Sequence, residues 1–179
     1  KYEEFLNSCP NSMIYHSIKY RNFLSDFLPS SVEPNYILAF KDNSLEGVLP
    51  TFLMDGPKGK VINSLPFFGS NGGILLRDNN CKDTAQSLLQ AFNELCKKKK
   101  ITFATLIDTP FINNALFYKS NWGFQFTDQR IGQITSLPSG NDLPEIEEKL
   151  FSIFHQKTRN MVRKGLKSGL KFSNTFSNE

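Results

Sequence analysis

Six cations, Lys157, Arg159, Arg163, Lys164, Lys167 and Lys171, fall in one stretch with no acid between them. They exceed the formal net charge of +4 and leave −2 for the remainder, so the basic character is local. The chemistry open to such a stretch is neutralisation of an anion: arginines four apart offer planar forks to phosphate oxygens, and the lysines add point charges. No glutamate makes an i, i+4 pair with them, so the face repels itself until counter-charge arrives. The plain alternative is a surface helix whose cations face water. A second stretch of interest is SLPFFGSNGGILL, residues 64–76. Gly69, Gly72 and Gly73 permit positive φ and close backbone approach, and Asn71 tolerates the left-handed region. That loop is either a simple turn or a wall against a ligand. It matches neither G-x-G-x-x-G after a strand nor G-x-x-x-x-G-K-[ST], which argues against dinucleotide and nucleoside triphosphate sites.

Other chemistry has little material. His16 and His155 lie far apart in sequence, and Cys9, Cys81 and Cys96 show no metal-ligand spacing, so neither a metal centre nor a Ser-His-Asp arrangement is expected. The cysteines read as reduced thiols of a cytoplasmic protein, and His16 is expected to be buried, with a place lining a cleft as the alternative. Asp108, at the end of an apolar run, is the single carboxylate singled out as a catalytic candidate; capping of the turn that follows is the competing role. With 21% charged and 39% hydrophobic residues and no apolar run of spanning length, no transmembrane segment is expected.

The elements that must position these residues follow from periodicity and punctuation. Residues 12–28 place Ile14, Ile18, Phe23, Phe27 and Leu28 at helical spacing before Pro29. NYILAFKD and LEGVLPTFLMD, joined through Asn43 and Ser44, read as a hairpin, with an edge or bulge expected at Pro50. KVINSLPFF is a third strand after the GPKGK turn. Residues 83–100 form a helix with Leu88, Leu89, Phe92 and Leu95 on one side and KKKK in its last turn, where cations suit the dipole. ITFATLID is a strand, 113–120 a short helix, GFQFTDQRIGQITSL (123–137) a long strand run, and LKFSNTF a closing strand. One helix is expected over 142–167, with Ile146, Leu150, Ile153 and Phe154 turned to a core. That stripe runs on into Lys157 and Lys164, while Thr158, Met161, Val162 and Leu166 form the apolar side of the second half. Either the helix bends near Gln156, or an anion lies against the cationic hemisphere. Consecutive hairpin strands first and helix-separated strands later indicate an α+β domain with a mixed sheet.

Taken in order, YILAFKDNSLEGVLP, SLPFFGSNGGILL and KTRNMVRKGLKSGLKF, with MIYHSIKYRNFL before them, resemble the FemABX family and the related GNAT-like acyltransferases of cell-envelope synthesis. The resemblance covers essentially all 179 residues. It implies a GNAT-like mixed sheet flanked by helices over residues 1–179, the N-terminal half of a two-domain protein, with 142–179 leading toward a second domain. It also implies amide formation on a peptidoglycan-precursor type of acceptor, with aminoacyl-tRNA or acyl-CoA as donor substrate and no bound cofactor. Phe67, Phe68, Gly69, Asn71, Gly72 and Gly73 would then line the substrate cleft, and Lys157, Arg159 and Arg163 would neutralise a diphosphate or another anion. The GNAT pyrophosphate pattern Q/R-x-x-G-x-G/A does not occur, which speaks against coenzyme A. A non-catalytic module of the same fold that binds an anionic ligand, and an acyl-CoA-dependent N-acetyltransferase, are the alternative functions.

Overall fold

Asp42 and Asn43 both take positive φ, 47° and 69°. That conformation matches the right-handed twist of the strands a two-residue turn connects. Strand β1 (Val32–Lys41) therefore folds back directly on β2 (Ser44–Gly56). This is a computed structural model, and the residues it describes are 1–64, 71–129, 131–132 and 134–169. Contacts divide the chain into two compact units, Lys1–Arg130 and Ile131–Glu179.

The first unit is built on a mixed sheet. A second tight turn brings β3 (Gly59–Asn63) antiparallel to β2, and β5 (Ile101–Thr105) lies parallel to β3. The short β4 (Leu75–Leu76) pairs with β2 at Gly47 and Val48. Pro50 sits between the β2 residues that pair with β4 and those that pair with β3, so its missing N–H falls where no ladder bond is due. The expected local edge at Pro50 is thus the gap between two partners.

Helices cover both faces, as the α+β reading requires. Helix α3 (Lys82–Lys99) lays Leu88, Leu89 and Phe92 on Leu49, Leu53 and Ile62. Gly47 lets it approach: a Cβ there would lie 2.9 Å from Thr84 Cγ2. On the opposite face α1 (Tyr2–Ser8) packs Phe5 and Leu6 with Leu45, Val48 and Leu75, and α2 (Ile18–Phe27) packs Leu24 with Val32 and Phe52. A single 3₁₀ turn, Ile14–His16, leads into α2, and α4 (Ala115–Trp122) follows β5.

Three expectations fail, each for a physical reason. The stripe Ile14, Ile18, Phe23 and Phe27 faces outward; α2 instead buries Leu24 and Arg21, the latter 1% exposed. Arg21 is tolerated inside because its Nε donates to Tyr36 Oη (3.1 Å), its Nη2 donates to the Thr51 carbonyl (2.7 Å), and the guanidinium stacks on the Phe52 and Tyr36 rings. No described residue of 123–137 is in a strand, and Phe126 and Ile131 stand 79% and 95% exposed. An alternating pattern makes a strand only where a ladder receives it, and the described residues pair β5 on its β3 side alone. The third strand ends at Asn63, and the remainder of SLPFF and the closing run 170–179 lie outside the described residues.

The second unit holds the third correction. In place of one helix over 142–167 there are two, α5 (Leu143–Ile153) and α6 (Gln156–Lys167). Phe154 and His155 are extended (ψ 140° and 149°), and His155 restarts the helix as its N-cap, Nδ1 accepting from the Lys157 amide at 3.3 Å. Asp142 caps α5 through the Glu145 amide, with Pro144 in the first turn. Of the bend and the bound anion, the bend accounts for the rotated stripe, because the two apolar faces belong to separate helices. None of Ile146, Leu150, Ile153 and Phe154 is fully buried.

Candidate functional site

Ser64 directly follows β3, its backbone amide donating to the Thr105 carbonyl (3.0 Å) while its hydroxyl accepts from the Ile107 amide (2.8 Å). A serine is suited to this place: one short side chain prolongs the β3/β5 pairing beyond the last ladder residues. The carboxyl ends of these two parallel strands are thereby held together. Gly73 closes the arrangement. It has φ +84°, and a Cβ on it would stand 2.6 Å from the Ile107 carbonyl oxygen and 3.3 Å from Asp108 Cα. Only glycine fits both the conformation and the contact.

Gly73 and the backbone at Asp108 are therefore brought together. Gly72 and Gly73 are buried and Asn71 is half-buried, whereas Phe67, Phe68 and Gly69 lie outside the described residues. Asp108 accepts from the Asn114 amide at Oδ2 (3.1 Å), from Asn114 Nδ2 at Oδ1 (3.0 Å) and from Tyr118 Oη (3.4 Å). Burial pushes its carboxyl above the ordinary aspartate value, and the bonds from Asn114, Thr109 and Tyr118 pull the other way. Tyr118 is itself buried, and desolvation together with the Asp108 charge drives its phenol well above the usual range. These contacts commit the Asp108 carboxylate to shaping the loop before α4.

A cleft of about 80 Å³ opens beside this cluster, lined among others by Asn11, Ile74, Lys82, Thr109, Asn114 and Tyr118. Asn11 Nδ2 is buried without a partner among the described residues, and Lys82 brings a cation to the start of α3. The cleft can hold a small polar group between an amide donor, an ammonium and a hydroxyl. Asn11, Lys82, Ser64 and Tyr118 carry no motif that the sequence reading could single out.

The cations form a face of their own on α6. Lys157, Arg163, Lys164 and Lys167 are exposed and Arg159 is half-buried. No carboxylate among the described residues makes an ion pair with any of them; Arg163 Nη1 donates to Asn160 Oδ1 (3.3 Å) and its guanidinium lies 5.7 Å from the Phe151 ring centre. The two histidines part ways, His16 1% exposed and His155 capping α6 at the surface. Cys9, Cys81 and Cys96 are free thiols, and no cluster of metal-ligating side chains occurs among the described residues. No helix there is long and apolar enough to cross a membrane.

No family model matches the chain, and no curated protein matches it. Among solved structures, it is similar to an aminoglycoside acetyltransferase from an uncultured soil metagenomic sample, crystallised with trehalose. That likeness has a TM-score of 0.45 at 16% identity and covers 70% of this chain and 80% of that one. A probable acetyltransferase is similar with a TM-score of 0.40 at 16% identity, over 79% of this chain and 87% of the other.

Proposed function

We propose that the chain is a domain of an amide-forming acyltransferase of the GNAT-like type, acting on a polar amine acceptor. The observation that supports this reading is the convergence of Gly73, Ser64 and the Asp108 loop at the carboxyl ends of β3 and β5. In open sheets with parallel strands, ligands bind at such ends. Acyl transfer to an amine asks the protein chiefly to hold nucleophile and carbonyl in reach, and two loops fixed against each other by main-chain contact are suited to that. Asn11 and Lys82 are the groups that would polarise an acyl oxygen, and Thr109 would orient the acceptor. Aminoacyl-tRNA or acyl-CoA is the donor, and the FemABX resemblance implies a cell-envelope precursor as acceptor and, taken by itself, an anion-neutralising role for Lys157, Arg159 and Arg163.

The test is transfer itself. The protein is incubated with labelled acetyl-CoA, or with labelled aminoacyl-tRNA, and a panel of amines and peptidoglycan precursors; the product is read by mass. The reading expects an acylated amine, with kcat/KM at least about tenfold lower in Asn11→Ala and Lys82→Ala. No product from either donor with folded protein overturns it. A second reading, a non-catalytic module for an anionic ligand, is favoured by the exposed cations of α6, which make no ion pair among the described residues. It expects binding of pyrophosphate that is lost in the double variant Arg159→Ala, Arg163→Ala, with no transfer in any assay.

A further inference from the structure

β1 lies at an edge of the sheet, and its ladder among the described residues is to β2 alone. Two prolines decide which of its main-chain groups remain free. Pro50 opposes Tyr36 and Pro34 opposes Phe52. A proline has no N–H to exchange, so these pairs take the non-hydrogen-bonded positions, and Asn35 with Thr51 and Ile37 with Leu49 exchange the bonds. The amides of Tyr36, Leu38 and Phe40 therefore point away from β2. The irregularity in the hairpin leaves β1 itself regular: Ala39 opposes Gly47 and Phe40 opposes Leu45, so the extra residue, Glu46, belongs to β2. Beside this free edge Tyr36, Leu38 and Phe40 are 39%, 42% and 56% exposed.

We propose that two copies of the chain pair through the outer edges of β1, antiparallel about a two-fold axis at Ile37, and extend one sheet across the dimer. Charge complementarity selects both the occupant and the register. With the axis at Ile37, Glu33 of each copy stands opposite Lys41 of the other, and both residues are exposed. Tyr36 then faces Leu38 of the other copy as a hydrogen-bonded pair, so the free amides on both sides find carbonyls. Phe40 faces Pro34, whose carbonyl accepts the Phe40 amide while its ring ends the ladder. Moving the axis to Tyr36 sets Glu33 against Ala39, and moving it to Leu38 sets Lys41 against Asn35; neither makes a charge pair. The strand is self-complementary, as an isologous interface must be, and pairing covers an apolar edge that would otherwise template aggregation.

Sedimentation equilibrium of the 179-residue chain over a concentration series is the test, with circular dichroism showing that each variant keeps its fold. Wild type should give a monomer–dimer equilibrium. Glu33→Lys and Lys41→Glu should each raise the dissociation constant at least about tenfold, because each turns two attractive pairs into repulsive ones, and the combined charge swap should restore it. Amide exchange at Tyr36 and Leu38 should slow as concentration rises. A monomer at every concentration, or a dimer indifferent to both reversals or not rescued by the swap, overturns the proposal.

Discussion

Arg21 and His16 are adjacent buried polar residues with opposite demands. The Arg21 guanidinium keeps its charge against desolvation with the help of the Tyr36 hydroxyl, and no carboxylate among the described residues pairs with it. A cation in that position contributes little net stability beyond its packing, so Arg21→Met should unfold within about 1 kcal/mol of wild type, whereas Arg21→Ala should lose about 2–4 kcal/mol. Chemical denaturation checks both. His16 is held neutral by burial, which lowers its pKa from 6.5 to about 4, Arg21 adding to the effect and the Met13 backbone opposing it. The unfolded chain takes up a proton near pH 6.5 that the native protein refuses until about pH 4. Stability therefore has no His16 penalty above pH 6.5 and falls between pH 6.5 and 4, by about 3 kcal/mol. His16→Gln should flatten that slope, read as unfolding free energy against pH. At Gly73, even a methyl group meets the Ile107 carbonyl in a conformation that disfavours it; Gly73→Ala should cost about 2–3 kcal/mol and lower the melting temperature accordingly.

At the level of elements, the break between α5 and α6 rests on one side chain. His155→Ala removes the cap from the Lys157 amide and should cost α6 about 1 kcal/mol of helix stability. Loss of helical circular dichroism in a fragment spanning 141–169 reports it. The break also shows what could be read from sequence. The hairpin at Asn43, the helix after Cys81 with its KKKK end and the strand ITFAT were legible, because each is written in local periodicity and turn residues. The interruption at Phe154 was visible only as a rotation of the apolar stripe. The inverted face of α2 was hidden, since no periodicity rule ranks an arginine above Phe23 for burial; the deciding facts are Tyr36 Oη and the Thr51 carbonyl, 15 and 30 residues away. The described residues of 123–137 form no strand for the same reason in reverse, as they are of strand type but find no ladder among the described residues. In the candidate site Gly73 was readable as a special residue, while its neighbours Ser64, Asn11 and Lys82 are commonplace types placed by tertiary contact alone.

For the whole molecule, the division into two units predicts that Lys1–Arg130, produced alone, keeps a cooperative unfolding transition of its own. A melting curve without a transition would contradict it. The sheet topology bears on a different property, the order in which the chain acquires structure. β1, β2 and β3 are joined by two-residue turns and need only local contacts to form, but β5 reaches its place beside β3 after the whole of α3 has been traversed. Closing that longer loop costs entropy before the parallel pairing can offset it. The meander is thus the natural folding nucleus and β5 its late arrival. In pulse-labelling experiments the amides of β2 should gain protection first and those of Phe103 and Thr105 last, so that the site at the end of β5 comes into being only with the final step of folding.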